Sequence, residues 1–158
     1  MVRKLILTAL IIIFMLATVI GYTINLQFQF KKGFEIYLSD TNELVFSDKD
    51  IIFYNRTSHQ IKLSKEGLDR IKKMNLYHKL FVAKLYGKEI YKGAFWSEID
   101  SISFSGIVMI DILAVQHGLT DNLRIEPCYP YIEFCDGKDL RNNSELFDYF
   151  QSIGKLVQ

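Results

Sequence analysis

Few side chains in this chain have types and spacings that could support catalysis. Ser105-Gly106 follows Phe104 and lacks the G-x-S-x-G turn that positions a serine nucleophile, so a serine hydrolase is not expected. Asp48 and Asp50 precede a predicted strand, but no cation-binding loop spacing follows them. We expect these two carboxylates to act as solvated helix caps.

Acid–base and metal chemistry have equally little support. Asp100 and Asp111 would pair as catalytic carboxylates only if the turn between them brought them together, and we expect both to be isolated surface residues. The histidines His59, His78 and His117 are scattered, and no CxxC pair accompanies them, so we predict no metal site and no cofactor. The sequence therefore predicts a protein without catalysis of its own.

The two cysteines, Cys128 and Cys135, lie in the segment CYPYIEFC. An even pair in an otherwise cysteine-free chain is typical of a disulfide in an oxidising compartment. In a straight strand their Cα atoms would lie more than about 20 Å apart, whereas a disulfide needs about 4.4 to 6.8 Å. The chain must therefore turn between them, and we expect the turn at Tyr129-Pro130. The alternative is two unpaired buried thiols, because free cysteine is common in cores.

Three aromatic residues, Tyr91, Phe95 and Trp96, lie close together in the sequence. They form a candidate interaction patch if they are exposed, since a large apolar surface often marks a binding site. The alternative is that they pack in the core.

Composition narrows the class of protein further. The chain has 158 residues, which suits one domain, and 49% hydrophobic residues, which excludes a disordered chain. Its 19 basic and 18 acidic residues give a net charge of +1, so there is no clustered basic excess and nucleic-acid binding is not expected.

An uncharged apolar run, Leu5 to Tyr22, dominates the N-terminus. At 1.5 Å per residue it reaches about 27 Å, close to the roughly 30 Å of a bilayer core. We predict a membrane anchor within residues 1–22, a connector over 23–32 and one domain over 33–158. The alternatives are a cleaved signal segment, for which Val19 to Gly21 is a poor cleavage site, and a buried core helix.

The charges that flank this run nearly cancel, since Arg3 and Lys4 precede it and Lys31 and Lys32 follow it. The cysteine pair therefore decides the orientation. It favours a single-pass membrane protein whose C-terminal domain lies outside the cytoplasm, or a secreted domain if the segment is cleaved.

Strands outnumber helices in the predicted domain, and a tight hairpin turns at Gly87-Lys88. This pattern predicts an α+β fold, with two or three helices on one face of a mainly antiparallel sheet. Strands are predicted at 34–38, 43–46, 51–55, 60–63, 80–86, 89–95, 107–113, 123–126 and 131–134, and helices at 65–75 and 144–157.

Part of this domain resembles a known family. Leu63 to Gly67 matches a helix start of the form L-(S/T)-x-E-G, Gly87-Lys88 a hairpin turn, and Ile102, Gly106 and Ile110 a closing motif. Together with LVFSDKDIIFYN, KLFVAKLYGKEIYKGAF and IDSISFSGIVMI, these residues resemble the head subdomain of the first periplasmic domain of SecD and SecDF protein-export subunits.

The resemblance spans residues 34–112 and has clear departures from the family pattern. The predicted span holds no ionisable residue apart from Tyr22, so the chain cannot couple a proton gradient as a full translocase subunit does. The Ala-rich helix and the G-x-L-P ending of the family are also missing. The resemblance implies a stand-alone relative of the head domain.

The resulting hypothesis is a membrane-anchored, extracytoplasmic interaction module without intrinsic catalysis. It would bind polypeptide, or an envelope or translocase partner, through a sheet edge or the aromatic patch. The alternatives are a secreted or anchored envelope enzyme with an unrecognised site, and a purely structural envelope protein.

Overall fold

The computed structural model describes residues 12–18 and 33–158. Residues 12–18 are helical, with exposed side chains, and residues 33–158 belong to a separate compact unit. Within the described residues, no helix combines the length and the apolar character needed to cross a membrane. Most of the predicted anchor, residues 1–22, and all of the predicted connector, residues 23–32, lie outside the described residues.

Residues 33–158 fold as strands interspersed with short helices. The strands are β1 (Phe34–Leu38), β2 (Leu44–Ser47), β3 (Ile51–Asn55), β4 (Gln60–Leu63), β5 (Leu80–Leu85), β6 (Lys88–Phe95), β7 (Ile107–Ile110), β8 (Asn122–Glu126) and β9 (Leu156–Val157). The helices are α1 (Lys65–Ile71), α2 (Ile112–Gln116) and α3 (Ser144–Ser152), with two 3₁₀ turns at Asp48–Asp50 and Ile132–Phe134. The strands form one sheet in the order β2-β1-β5-β6-β7-β8-β4-β3-β9.

The connection between β2 and β3 requires this sheet to curl. In a flat sheet the seven strand spacings between them would add up to about 34 Å. Only Asp48–Asp50 join the two strands, and three residues reach about 10 Å at most. Ser47 and Asp50 hold this joint in a capping box, and Arg70 of α1 donates to Asp50 Oδ2 at 2.6 Å. Asp50 is therefore a buried cap, and the expectation that it is solvated was wrong.

The main core fills the inside of the curl. Strands alternate buried and more exposed side chains, as Leu123 and Ile125 of β8 show, and the buried set faces inward. All three helices add to the same cluster, for example through Ile71, Val115 and Phe150. The sheet is mainly antiparallel, with β6–β7 and β3–β9 as its parallel pairs. The predicted α+β class is confirmed.

A smaller apolar cluster lies on the other side of β6 and β7. Alternation along these strands sends Ala94 and Val108 to this cluster, whereas Phe95 and Met109 face the main core. Trp96, Ile110, Tyr129 and the partly buried Phe104 complete the second cluster.

Two predicted segments end differently in the structure. Helix α1 ends at Ile71, not near residue 75, because Gln116 Nε2 donates to the Ile71 and Met74 carbonyls and completes the helix end. The last helix ends at Ser152. Gly154, at a φ of 69°, turns the chain so that Leu156–Val157 pair with β3.

Two other predicted strands were wrong. Residues 107–113 divide into β7 and α2, because Asp111 adopts a left-handed conformation with a φ of 76°. Residues 131–134 hold a 3₁₀ turn, since the cysteine pair draws the two ends of this segment together.

The hairpin turn between β5 and β6 lies one residue earlier than predicted. It consists of Tyr86 and Gly87, which both have the positive φ that a two-residue turn of this type needs.

Candidate functional site

Cys128 and Cys135 form a disulfide, with Cα atoms 5.1 Å apart, as the sequence predicted. We call residues 128–135 the disulfide loop. A loop this short cannot build a core of its own, so the large apolar side chains that follow Tyr129 are exposed to solvent. The exposed fractions of Tyr131, Ile132 and Phe134 are 68%, 73% and 46%.

The start of the disulfide loop is anchored firmly to the second apolar cluster. Phe104 and Tyr129 exchange two backbone hydrogen bonds, at 3.0 and 2.8 Å. The buried Tyr129 hydroxyl also donates to the backbone carbonyls of Glu98 and Asp100, at 2.9 and 2.8 Å. The far end of the loop is held as well, since the Asp136 amide donates to the Ser105 carbonyl. The exposed side chains of the loop are thus mounted on a fixed base.

A cleft of about 460 Å³ opens beside this loop. Tyr129, Tyr131 and Ile132 of the loop form one wall, and Ile110 at the end of β7 adds an apolar surface. The remaining wall is charged and comes mainly from β8 and the segment that follows the loop. The volume of the cleft is within the range of about 300 to 1,000 Å³ that is usual for ligand sites.

The charged wall belongs to a continuous line of five side chains with alternating sign, of which Asp139 lies beyond the cleft lining. Glu98 pairs with Arg124, and Arg124 Nε lies 2.9 Å from Glu126 Oε1. Arg141 Nη1 lies 3.1 Å from Glu126 Oε2 and binds Asp139 through Nε and Nη2, at 2.9 and 2.8 Å. Three carboxylates and two guanidinium groups leave this charged line with a net charge of −1.

The pKa values of two carboxyl groups respond to the charged line. Asp111 lies close enough to sense it: burial and then repulsion from Glu98 raise the pKa of the Asp111 carboxyl, although Arg124 opposes them. At the other end, hydrogen bonding from Arg141 lowers the pKa of Asp139 and keeps that carboxylate ionised. The cleft lining itself holds two carboxylates and two guanidinium groups, and a third carboxylate, Asp139, closes the far end of the charged line.

The three residues of the predicted aromatic patch are not on the surface. Tyr91, Phe95 and Trp96 are 3%, 0% and 6% exposed. Tyr91 and Phe95 belong to the main core and Trp96 to the second cluster. An exposed patch made of these residues is excluded, because the pleat of β6 sends Tyr91 and Phe95 inward and the rings of Phe104 and Tyr129 cover Trp96.

The aromatic surface of the cleft comes instead from the disulfide loop, a feature that the sequence analysis missed. Its signal was the placement of Tyr131, Ile132 and Phe134 inside a short ring closed by two cysteines. Such a ring leaves large side chains no interior to enter.

Asp100 and Asp111, which the sequence predicted to be isolated surface residues, are both at least partly buried. The Asp100 side chain is 4% exposed, so the expectation that it lies on the surface was wrong. It accepts hydrogen bonds from the Tyr77 hydroxyl at 2.5 Å and from the Ser97 amide at 3.0 Å, and it contacts His78 Nε2 at 3.0 Å. These bonds hold the loop that follows β6.

The histidines occupy separate places. The Tyr54 hydroxyl lies 2.7 Å from Nδ1 of the buried His59, His78 contacts Asp100, and His117 is exposed after α2. Among the described residues, no group of three or more histidine, cysteine or acidic side chains is arranged to hold a metal ion. Ser105 is exposed and its carbonyl binds the backbone of Asp136.

No family model, curated protein or solved structure matches this chain. The geometry of the cleft and of the disulfide loop is therefore the basis for assigning a role.

Proposed function

We propose that this protein is a membrane-anchored, extracytoplasmic interaction module that binds an extended polypeptide segment in the cleft beside the disulfide loop, without catalysis of its own. The observation that carries the proposal is the fixed display of Tyr131, Ile132 and Phe134 next to a cleft of about 460 Å³. Exposed apolar side chains grouped on one loop are typical of interaction sites.

The construction of the loop suits binding. Tyrosine and phenylalanine are enriched at the centres of protein interfaces, where each supplies a large contact area. The disulfide and the bonds of Tyr129 hold the backbone of the loop before a partner arrives. Less conformational entropy is then lost on binding, so more of the contact energy appears as affinity.

The proposed location follows from the cysteines and the N-terminal run. A disulfide persists in an oxidising compartment, and the uncharged residues Leu5 to Tyr22 suit an anchor. The sequence resemblance of residues 34–112 to the SecD and SecDF head subdomain favours a role in handling exported polypeptides. Because most of the cleft comes from residues 124–141, outside that resemblance, the binding surface would be particular to this chain.

Fluorescence anisotropy tests the proposal directly. The probe is a labelled, carboxymethylated polypeptide that stays unfolded, titrated with the full-length protein in mild detergent. A double variant, Tyr131→Ser with Ile132→Ser, which removes two side chains that line the cleft, should weaken binding by about ten-fold or more, since truncating an anchoring side chain often costs that much. Both residues are exposed, so the fold should survive.

The matched control is Leu119→Ser. Leu119 is another large exposed apolar residue, but it follows α2 and does not line the cleft. Its removal should leave affinity unchanged. Absence of binding by the unmodified protein, or equal losses in the control and the double variant, would overturn the proposal.

A further inference from the structure

Both guanidinium groups of the charged line already contact carboxylates. Arg124 contacts both Glu98 and Glu126, and Arg141 contacts Glu126 and Asp139. An incoming carboxylate or phosphate would have to compete with these partners for the same guanidinium groups. The cleft is therefore poorly suited to an anionic ligand.

The ends of the charged line are carboxylates, and one of them is open to a ligand. Glu98 is 58% exposed and lines the cleft. Its Oε1 faces Arg124, which leaves Oε2 able to accept from an incoming donor. A cation entering at this end therefore has a carboxylate oxygen to bind.

The apolar wall of the cleft suits the rest of such a ligand. Long basic side chains pack their methylene stems along apolar surface while the charged end remains polar. Tyr131 and Ile132 offer that surface, and a tyrosine ring also attracts a cation over its face. One ligand therefore satisfies both walls: an extended apolar segment that carries a basic side chain.

We propose that the cleft selects a lysine or arginine side chain of the bound polypeptide, with Glu98 receiving its charged end and the disulfide loop contacting the neighbouring apolar residues. This inference rests on the proposed function, because it names the chemical class of segment that the same cleft takes. Glu98 thereby acts as a specificity determinant.

Three labelled peptides test the selection. They share one extended apolar sequence and differ at a single central position, which is Lys, Ser or Glu. Their affinities for the full-length protein in mild detergent are measured by anisotropy at low and at high salt. The Lys peptide should bind about five-fold more tightly than the Ser peptide, and the Glu peptide should bind more weakly than both. The difference should shrink at high salt, because exposed charges are screened.

Variants at the open carboxylate identify its part in the selection. Glu98→Gln should remove most of the preference for Lys over Ser, and Glu98→Lys should reverse it. Neither change leaves Arg124 unpaired, since Glu126 stays in contact with it. Glu43→Gln is the matched control, because Glu43 is exposed in the turn between β1 and β2, outside the cleft.

The two proposals fail in different ways. If none of the three peptides binds, the proposed function itself is overturned. If all three bind equally, or the Glu peptide binds best, polypeptide binding stands and the selection of a cation is overturned. A Lys preference that persists unchanged in Glu98→Gln would likewise remove Glu98 from the proposed site.

Discussion

Removal of the disulfide should destabilise the whole of residues 33–158 and not the disulfide loop alone. The reason is that Tyr129, inside the loop, is also part of the second apolar cluster and is bonded to the segment before β7. The change we consider is the double substitution Cys128→Ala with Cys135→Ala. The two cysteines are the only ones in the chain, so the variant contains no thiol.

The expected magnitude follows from the loop length. For the eight residues that the bond closes, the chain-entropy relation gives about 8 cal/mol/K, or about 2.5 kcal/mol at 25 °C. Unfolding entropy near 2.1 cal/mol/K per residue amounts to about 260 cal/mol/K over residues 33–158. The melting temperature should therefore fall by about 9 °C.

Tryptophan fluorescence during heating is the suitable assay. Trp96 is the only tryptophan, is buried, and lies with its ring centroid 6.4 Å from that of Tyr129. Unmodified protein treated with a reductant should have the same melting temperature as the double variant. The melting temperature of the variant should not change when the reductant is added. A melting temperature within about 2 °C of the oxidised protein would refute the reasoning, because it would mean that the loop unfolds independently of the domain.

Three further predictions concern the supports of the fold. Asp100→Ala should lower the free energy of unfolding by about 2 to 3 kcal/mol in urea titrations, since it leaves the Ser97 amide without its acceptor. Asp100→Asn should lower it by less, and equal losses in the two variants would contradict this reasoning. Gly93→Ala should abolish stable folding, because the added Cβ would lie 2.3 Å from the Ile107 carbonyl oxygen. The variant should show no cooperative unfolding transition in urea, and a transition with the midpoint of the unmodified protein would disprove this. Burial lowers the pKa of His59 below 6.5, so the unfolded chain binds more protons and stability should fall as the pH drops from about 7 to 5. His59→Gln should reduce this slope, and an unchanged slope would show that other groups produce it.

Local signals along the sequence predicted much of the sheet and the ends of several elements. The spacing of Ile36 and Leu38 predicted β1, and Ser64 predicted the start of α1, where its Oγ accepts from the Gly67 amide. The cysteine pair was also predictable, because two cysteines so close in a chain need only one turn to meet. Each of these features depends on a few neighbouring residues.

Features that depend on distant contacts were not predictable in this way. The end of α1 is completed by Gln116, which lies more than forty residues away. Asp100 is buried because Tyr77 and His78 approach it from before β5. The exposed or buried state of Trp96 depends on Tyr129, which only the folded loop places against it. The spacing of residues along the sequence does not indicate which distant residues will be in contact.

The errors of prediction are not spread evenly with respect to the cleft. Two of the segments predicted as strands, 107–113 and 131–134, both border it, through Ile110 and through Tyr131 and Ile132. In each, a local constraint overrides the apolar pattern: the left-handed Asp111 in the first and the disulfide in the second. Conflicts between local preference and final structure concentrate at functional sites, where geometry is selected for contact with a partner. The coincidence of both conflicts at one cleft is therefore a reason, independent of its charge, to look for the function of the protein there.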